Sequence, residues 1–222
     1  MALVNNQQVI ENIWTILQTD DLAEDNLLPN ISLSDLLTRQ NTDEPLNILL
    51  PISALLNIRK NSMGNDSLAR ETLKLIQTKS RKIAVWLDTE HNHANDYPAS
   101  SQQLDDLLNA TSKKAQKLNP LLADIVSELT LIVLNVPLFA NGRAFSLAEH
   151  LRKQGYSGEI RLTGAFGRDQ LPYYHRSGVD TFMVSEEELN KGDGQDEFFA
   201  IFNALANAPA GKDVNNLPMF RE

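Results

Sequence analysis

The feature that most restricts the fold is a nearly continuous apolar run in the middle of the chain, Leu129 to Val136. Such a run is typical of a strand that is buried on both faces, as strands of a parallel sheet are. We therefore expect this segment at the centre of a sheet. Parallel strands need long crossover connections, which helices usually supply, so the run also predicts an α/β architecture.

Strands and helices alternate along most of the chain, which predicts an α/β domain with a mostly parallel sheet. An open doubly wound sheet and a partial (β/α) barrel both fit this alternation. We expect a single domain over 1–222, with an N-terminal β-hairpin and loose extension over 1–45, the α/β core over 46–206 and a tail over 207–222. The predicted hairpin strands are 2–4 and 9–17, the later strands are 47–52, 82–88, 159–163 and 180–184, and the helices are 34–37, 68–76, 101–118, 146–154, 169–177 and 198–205.

Composition excludes several classes of function. The 222 residues contain no cysteine, which excludes disulfides, thiolate nucleophiles and cysteine-held iron–sulfur clusters. A formal net charge of −9 repels phosphate groups, so neither nucleic acid nor an anionic membrane is an expected partner. No targeting segment or apolar stretch of the ~20 residues needed to span a bilayer is present, which predicts a cytoplasmic protein. No dinucleotide or P-loop motif occurs, so no cofactor is recognisable.

Ligands of parallel α/β sheets bind at the carboxyl ends of the strands, where helix N-termini also point. The loop after the apolar run carries Asn141, Gly142 and Arg143. Ser146 and Glu149 have the spacing of a capping box and predict that the next helix begins there. Ser146 lacks the G-x-S-x-G context of a nucleophile and is interpreted as a cap or a ligand contact.

A second loop repeats this arrangement one βα unit later, with Arg168, Asp169 and Gln170. Asp169 is expected to cap the following helix. If the two strands are neighbours, Arg143 and Arg168 lie on one rim beside helix N-termini, which suits an anion. Residues 129–185 also contain six Lys or Arg but only four acids. The structural alternative, in which Arg168 pairs with a nearby acid and Arg143 anchors the helix start, fits these residues equally well.

An H-x-H pair, His91 and His93, follows a predicted strand and has Asp96 nearby. Metal sites of the amidohydrolase type begin in this way but need further histidines from later strands. Only His150 and His175 remain, and both are predicted inside helices. We therefore interpret the pair as part of an exposed polar loop and predict no metal site.

Several spaced motifs in the second half of the chain are familiar as a set. They are dense over 129–185 and looser upstream, at Trp14, 48–52 and 85–87. The residues that carry them run from Phe139 to Arg152, from Gly155 to Arg161, at Gly164, from Arg168 to Leu171 and from Arg176 to Phe182. In this order they resemble the bacterial family called domain of unknown function 934. Its pattern is F-x-D-G-R-G-[YF]-S, then LR-x-x-x-GY-x-GELRA, then G-D-x-x-R-D-Q-L and R-x-G-[FV]-D.

The resemblance implies a role in sulfur assimilation. Family members are typically encoded beside assimilatory sulfite reductase and are labelled probable oxidoreductases in sulfite reduction. This sequence departs from the pattern: Asn141 stands where the family usually has Asp, Ala144 where it has Gly, and Ala165 where it has a second Asp. If those carboxylates are general bases or metal ligands, this chain lacks both. The departures favour recognition of an anion or a partner over acid–base catalysis.

The first functional hypothesis is an accessory protein of assimilatory sulfate reduction that acts at the sulfite-reduction step. It would bind sulfite reductase, or a small anion such as sulfite, sulfate or a phosphate group. The candidate contacts are Asn141, Gly142, Arg143, Ser146, Arg168, Asp169 and Gln170. A chain without cysteine cannot itself hold the iron–sulfur and sirohaem centre of the reductase.

The second hypothesis is a small α/β enzyme that binds a phosphorylated or sulfated metabolite on the Arg143/Arg168 rim. Asp169 or Gln170 would then orient the substrate. A third is a structural or homo-oligomerising protein that works through the N-terminal hairpin or through the tail containing 217–220.

Overall fold

The computed structural model describes residues 1–17, 30–31, 33–38, 46–51, 78, 80–88, 129–139, 142–153 and 155–206. The predicted helices 68–76 and 101–118 and the tail 207–222 lie outside these residues. Among the described residues, no helix is both long enough and apolar enough to cross a bilayer.

Nine strands within the described residues form one sheet. They are β1 (Ala2–Val4), β2 (Val9–Ile10), β3 (Trp14–Leu17), β4 (Asn30–Ile31), β5 (Leu46–Pro51), β6 (Ser80–Asp88), β7 (Leu131–Val136), β8 (Glu159–Gly164) and β9 (Thr181–Val184). The described helices are α1 (Leu33–Thr38), α2 (Arg143–Lys153), α3 (Leu171–Arg176), α4 (Glu186–Leu189) and α5 (Gln195–Ala206), with a 3-10 helix at Arg168–Gln170 before α3.

The strand order is β2-β1-β9-β8-β7-β6-β5-β3-β4, and every neighbouring pair from β9 to β4 is parallel. From β5 to β9, each strand lies beside the one before it, whereas a doubly wound sheet reverses direction at a switch point. The sheet is a mostly parallel, curled half-barrel. As expected from its apolar run, β7 is central, and its residues Leu131 to Leu134 are fully buried.

The short link between β2 and β3 gives a physical reason for the curl. These strands are seven positions apart in the sheet, so a flat sheet would separate them by about 34 Å at ~4.8 Å per strand. Ile10 and Trp14, which end β2 and begin β3, are joined by four residue steps that reach at most ~14 Å. The sheet must therefore bend until its two sides approach each other.

The N-terminal hairpin is confirmed in part. β1 and β2 pair antiparallel around a turn in which the Asn5 side chain accepts bonds from the backbone N–H groups of Gln7 and Gln8. The prediction of one strand over 9–17 is wrong, because the chain leaves β2 at Ile10. It then crosses to the far side of the sheet, where β3 pairs parallel with β5.

The two faces of the sheet have separate apolar cores. Helices α2, α3 and α5 share one cluster with strand residues such as Ile132, Leu134 and Ile160. The other face holds a smaller cluster that includes Leu3 of β1, Trp14 of β3, and Val133. Helices lie outside the strands in (β/α) barrels, so we assign this second cluster, on the face opposite α2, α3 and α5, to the concave side of the half-barrel.

Candidate functional site

The predicted rim is the carboxyl edge of the sheet, which we define as residues 137–139 and 165–167, directly after β7 and β8. The two strands are neighbours, with Val136 opposite Gly164. Gly164 has φ +101°, and a Cβ there would lie 2.2 Å from the Val136 carbonyl oxygen. The Phe139 ring also packs over Gly167, where a Cβ would lie 3.1 Å from Cε2 of Phe139. The two loops therefore meet, as the sequence predicted.

The first loop leads into α2 earlier than predicted. Asn141 lies outside the described residues, and Arg143 is the first residue of the helix. Ser146 is therefore inside the helix and exposed, so the capping-box prediction is wrong. The reason is tertiary: Ala144 is fully buried, and Phe145 stacks on Tyr174 with ring centroids 3.7 Å apart, which draws both residues into the first turn. The amide of Phe145 donates to the Gly142 carbonyl.

The predicted ends of α2 and α3 are confirmed. Gly155 has φ +87° and Gly178 has φ +104°, a conformation that favours glycine. Each glycine amide donates to the carbonyl three residues earlier, and the next amide donates to the carbonyl five residues earlier. Both helices therefore end in Schellman motifs.

The second loop places Arg168 against the end of α4. Its Nε and Nη2 donate to the backbone carbonyl of Glu188, and Nη2 also donates to that of Lys191 at 2.9 Å. The guanidinium lies 5.2 Å from the ring centroid of Phe198. Arg168 thus caps carbonyl groups of α4 rather than pairing with Asp169, and only Nη1 has no hydrogen bond to the described residues.

The capping role that was predicted for Asp169 belongs to Gln170. Asp169 is exposed and does not cap the helix, so that prediction is wrong. Instead, the Gln170 side-chain oxygen accepts a bond from the Gly167 amide at 3.2 Å. Gln170 therefore fixes the turn from within, because its longer side chain reaches back over the 3-10 helix.

Several of the Lys and Arg side chains in 129–185 are bonded to other groups of the fold. The guanidinium of Arg152 makes five hydrogen bonds: to the carbonyls of Tyr156, Gly158 and Gly178, the last through both Nε and Nη2, and to the Asp180 carboxylate. Arginine has five N–H donors, so all of them are occupied. The Asp180 carboxylate also accepts from the Ile160 amide at 2.7 Å. We call this set the Arg152 clamp; it ties α2 to the residues that precede β8 and β9.

A second buried cation lies on the concave side. Arg161 of β8 is 2% exposed, and its Nε and Nη2 donate to Glu159 at 3.0 and 2.8 Å. Its Nη1 donates to Asn12, in the link between β2 and β3, at 2.8 Å. Thr181 of β9 donates to the same Glu159 oxygen at 2.6 Å. Burial lowers the pKa of Arg161, and the charge of Glu159 opposes that shift. This Arg161 network holds the link against the curled sheet.

Neither cationic network was predicted from the sequence, although the sequence contains a signal for the second. A charged residue in the middle of the apolar strand β8 must be buried, and Glu159 lies two residues earlier on the same face of the strand. The Arg152 clamp had no comparable signal, since its acceptors are mainly backbone carbonyls. Of the remaining cations, Lys153 pairs with Glu149, and Arg176 lies over the Tyr173 ring at 4.8 Å.

Histidines give no metal centre among the described residues, where no group of three or more metal-ligating side chains comes together. His150 and His175 lie in α2 and α3, as predicted. His175 Nδ1 is 3.0 Å from the Val179 carbonyl, and its ring packs against Phe202. The H-x-H pair lies outside the described residues.

A pocket of about 100 Å³ was not foreseen. It lies at the carboxyl ends of β8 and β9, beside the 3-10 helix, α4 and α5. Its apolar walls include Met1, Phe166, Leu171, Met183, Val184 and Phe198, and its polar residues are Arg168, Ser185 and Glu188. Ligand pockets for drug-sized molecules and cofactors usually measure about 300–1,000 Å³, so this pocket is suited to something smaller.

Comparison with known families is decisive for membership. The model of a bacterial family of proteins of unknown function, DUF934, matches residues 110–206. Residues 110–206 of this chain belong to the DUF934 family. The matched DUF934 region includes the Arg152 clamp, the Arg161–Glu159 pair, the carboxyl edge and most of the pocket. No curated protein matches the chain significantly.

Proposed function

We propose that this DUF934 protein is an accessory protein of assimilatory sulfite reduction that acts in the cytoplasm by binding a protein partner at the carboxyl edge of its sheet. One observation carries the proposal. Leu138 and Phe139, adjacent in the loop directly after the central strand, are 60% and 57% exposed. Adjacent exposed apolar side chains at a functional edge are typical of a protein interaction site.

The hydrogen bonds that the arginine side chains already make within the fold favour a protein partner over a small anion. Arg168 gives Nε and Nη2 to backbone carbonyls, and the Arg152 and Arg161 guanidinium groups are bonded within the fold. An anion at the rim would have to compete with those bonds. An apolar contact through Leu138 and Phe139 requires no such rearrangement.

Sulfite reductase is the partner that we propose, because proteins of the family that this sequence resembles are typically encoded beside it. The absence of cysteine fits an accessory role, since the reductase supplies the metal centre.

A binding experiment tests the interface. The full chain carrying L138S and F139S should lose co-purification with sulfite reductase. A matched control carries V9S and I13S, which change apolar residues that are 42% and 53% exposed elsewhere on the molecule. The control should bind like the unaltered chain. Equal retention of reductase by both variants would overturn the proposed interface, and failure of the unaltered chain to bind would overturn the choice of partner.

A growth experiment tests the pathway. A deletion strain should grow on sulfide or cysteine but not on sulfite as sole sulfur source. The control variant should restore growth on sulfite, and the L138S/F139S variant should not. Normal growth of the deletion strain on every source would contradict a role in sulfite reduction.

A small α/β enzyme that binds a phosphorylated or sulfated metabolite is the second candidate. The contact of Phe139 with Gly167 favours it, because it joins the loops that lead to Arg143 and Arg168. Phosphate or sulfate at a hundredfold excess over its dissociation constant should then stabilise the protein by about 2.7 kcal/mol. Arg143→Ala should abolish that stabilisation, and an unchanged response would exclude this candidate.

A further inference from the structure

The pocket at the carboxyl ends of β8 and β9 has the composition of a ligand site. It is separate from the exposed pair Leu138 and Phe139, and it extends from the 3-10 helix to α4 and α5. Met183 and Phe198 are almost fully buried in the protein and also line the pocket, so this part of the lining is apolar and fixed in place.

Two hydrogen-bond donors accompany this apolar wall. Arg168 lines the pocket, and its Nη1 makes no hydrogen bond with any described residue. Ser185 also lines it; the Ser185 oxygen accepts from the Glu188 amide at 3.0 Å, and its own proton has no acceptor in the part of the chain that the structure describes. A ligand with acceptor oxygens can use both donors.

Charge in the pocket wall favours an anionic acceptor. Glu188 is the acidic residue in the described lining, and its carboxylate is 3.5 Å from Nζ of Lys191. Lys191 therefore offsets the charge of Glu188, while the guanidinium of Arg168 keeps its own positive charge beside the pocket. The Nη1 group of Arg168 can donate a charge-assisted hydrogen bond to a carboxylate oxygen, which is stronger than a bond to a neutral acceptor.

Size and wall chemistry restrict the ligand further. A cavity of about 100 Å³ is well below the usual ~300–1,000 Å³ of cofactor sites, so it has room for a short alkyl group but not for a nucleotide or a flavin. A bare inorganic anion would leave oxygens against apolar walls without donors, which is unfavourable. An alkyl group fills the same space without that penalty.

We propose that this pocket binds a short aliphatic carboxylate, with its carboxylate at Arg168 and Ser185 and its alkyl group against Met183 and Phe198. The assignment goes beyond the proposed interface, because it concerns a small molecule and a different set of residues.

Methionine methyl groups provide a direct test on the full chain. The protein contains four methionines, of which Met1 and Met183 line the pocket. With methyl-¹³C-methionine labelling, titration with 4-methylpentanoate should shift the Met183 signal saturably. The matched 4-methylpentanamide should bind at least tenfold more weakly, and sulfite should leave the Met183 signal unchanged. Equal binding of acid and amide, or no saturable shift of Met183, would overturn the proposal.

Variants locate the binding determinants. Arg168→Lys keeps the charge but removes the Nη1 donor, and should weaken 4-methylpentanoate binding at least tenfold. The exposed Arg176→Lys is the matched control and should bind normally. Because Arg168 also bonds the Glu188 carbonyl of α4, a failure of the first variant to fold requires a second variant.

Val184→Leu adds one methylene to the pocket wall and should also weaken binding at least tenfold. If Arg168→Lys does not fold, unchanged binding by Val184→Leu overturns the proposal.

Discussion

The two ends of β8 and β9 use their arginines in opposite ways. At the amino ends, all five donors of Arg152 are bonded, and Arg161 is bonded through all three guanidinium nitrogens. At the carboxyl ends, Arg168 leaves Nη1 without a bond among the described residues, a pocket opens, and apolar side chains are exposed nearby. The amino ends are built for stability, and the carboxyl ends keep unused binding capacity, as βα folds generally do.

This difference between the two ends of the strands changes how the residues that carry the family resemblance are interpreted. Two of its densest stretches, 155–161 and 176–182, contain the acceptors of the Arg152 clamp and most of the Arg161 network. These residues connect helices to strands and hold the N-terminal link. A large part of the motif pattern therefore specifies the half-barrel itself, and the loops after β7 and β8 are the parts of the pattern that lie at the carboxyl edge.

The largest loss of stability is expected at Arg161. Arg161→Met removes the buried cation and leaves Glu159 with Thr181 as its remaining bonded partner, so the free energy of unfolding should fall by about 3–5 kcal/mol. Urea denaturation measures the loss. The double variant E159Q/R161M should recover part of it, because no uncompensated charge then remains. A single variant with unchanged stability would show that the network does not hold the N-terminal link.

A slightly smaller effect is expected from the Arg152 clamp. Arg152→Ala leaves three backbone carbonyls and Asp180 without their donor, which should lower the free energy of unfolding by about 2–4 kcal/mol. The control Arg176→Ala loses only an exposed cation–π contact and should cost less than about 1 kcal/mol. Similar losses in urea for both variants would contradict the clamp.

Sequence patterns predicted those features of the fold that depend on the local spacing of apolar and turn-forming residues. The burial of β7, the alternation of strands and helices from β7 to β9, and the ends of α2 and α3 all follow from residues near each other in the chain. The partners of buried charges do not: Asn12 and Arg161 are 149 positions apart. The start of α2 was also missed, because the stacking of Phe145 on Tyr174 decides it and no capping pattern records that contact. Of the predicted site residues, Arg168 was placed on the correct edge, but its bonds to α4 depend on a helix that was not predicted.

Two tyrosine hydroxyl groups also differ in their bonding, and we expect them to have a smaller effect on the free energy of unfolding. The Tyr156 hydroxyl, near the amino ends, donates to the Glu159 carbonyl at 3.4 Å, whereas the buried Tyr174 hydroxyl has no partner among the described residues. Removing an unpaired buried hydroxyl relieves a desolvation cost. We therefore expect Tyr174→Phe to raise the free energy of unfolding at pH 7 by about 0.5–1 kcal/mol, and Tyr156→Phe to lower it by a similar amount. A loss of stability in Tyr174→Phe would show that its hydroxyl is bonded.

The dependence of stability on alkaline pH tests the same two tyrosines in a second way. Burial raises the pKa of Tyr174 to about 12, above its ordinary value near 10. The folded state therefore favours the neutral phenol, so its contribution to stability is complete below pH ~10 and is lost as the pH rises towards 12. The loss is up to about 1.4 kcal/mol per pH unit. Tyr174→Phe should show a shallower decline between pH 10 and 12 in urea melts. Burial also raises the pKa of Tyr156, so part of the decline should persist.

The smallest change in stability is expected at the carboxyl edge, where the proposed interface lies. Leu138→Ser should change the free energy of unfolding by less than about 0.5 kcal/mol, because a side chain that is 60% exposed contributes little to the core. Leu134→Ala, four residues earlier in the fully buried strand β7, should cost about 2–5 kcal/mol in the same urea measurement. If Leu138→Ser were as costly, Leu138 would be part of the core, and the apolar edge would no longer support partner binding. A neutral Leu138→Ser leaves the exposed apolar contact without a role in stability, which is the condition that the proposed interface requires.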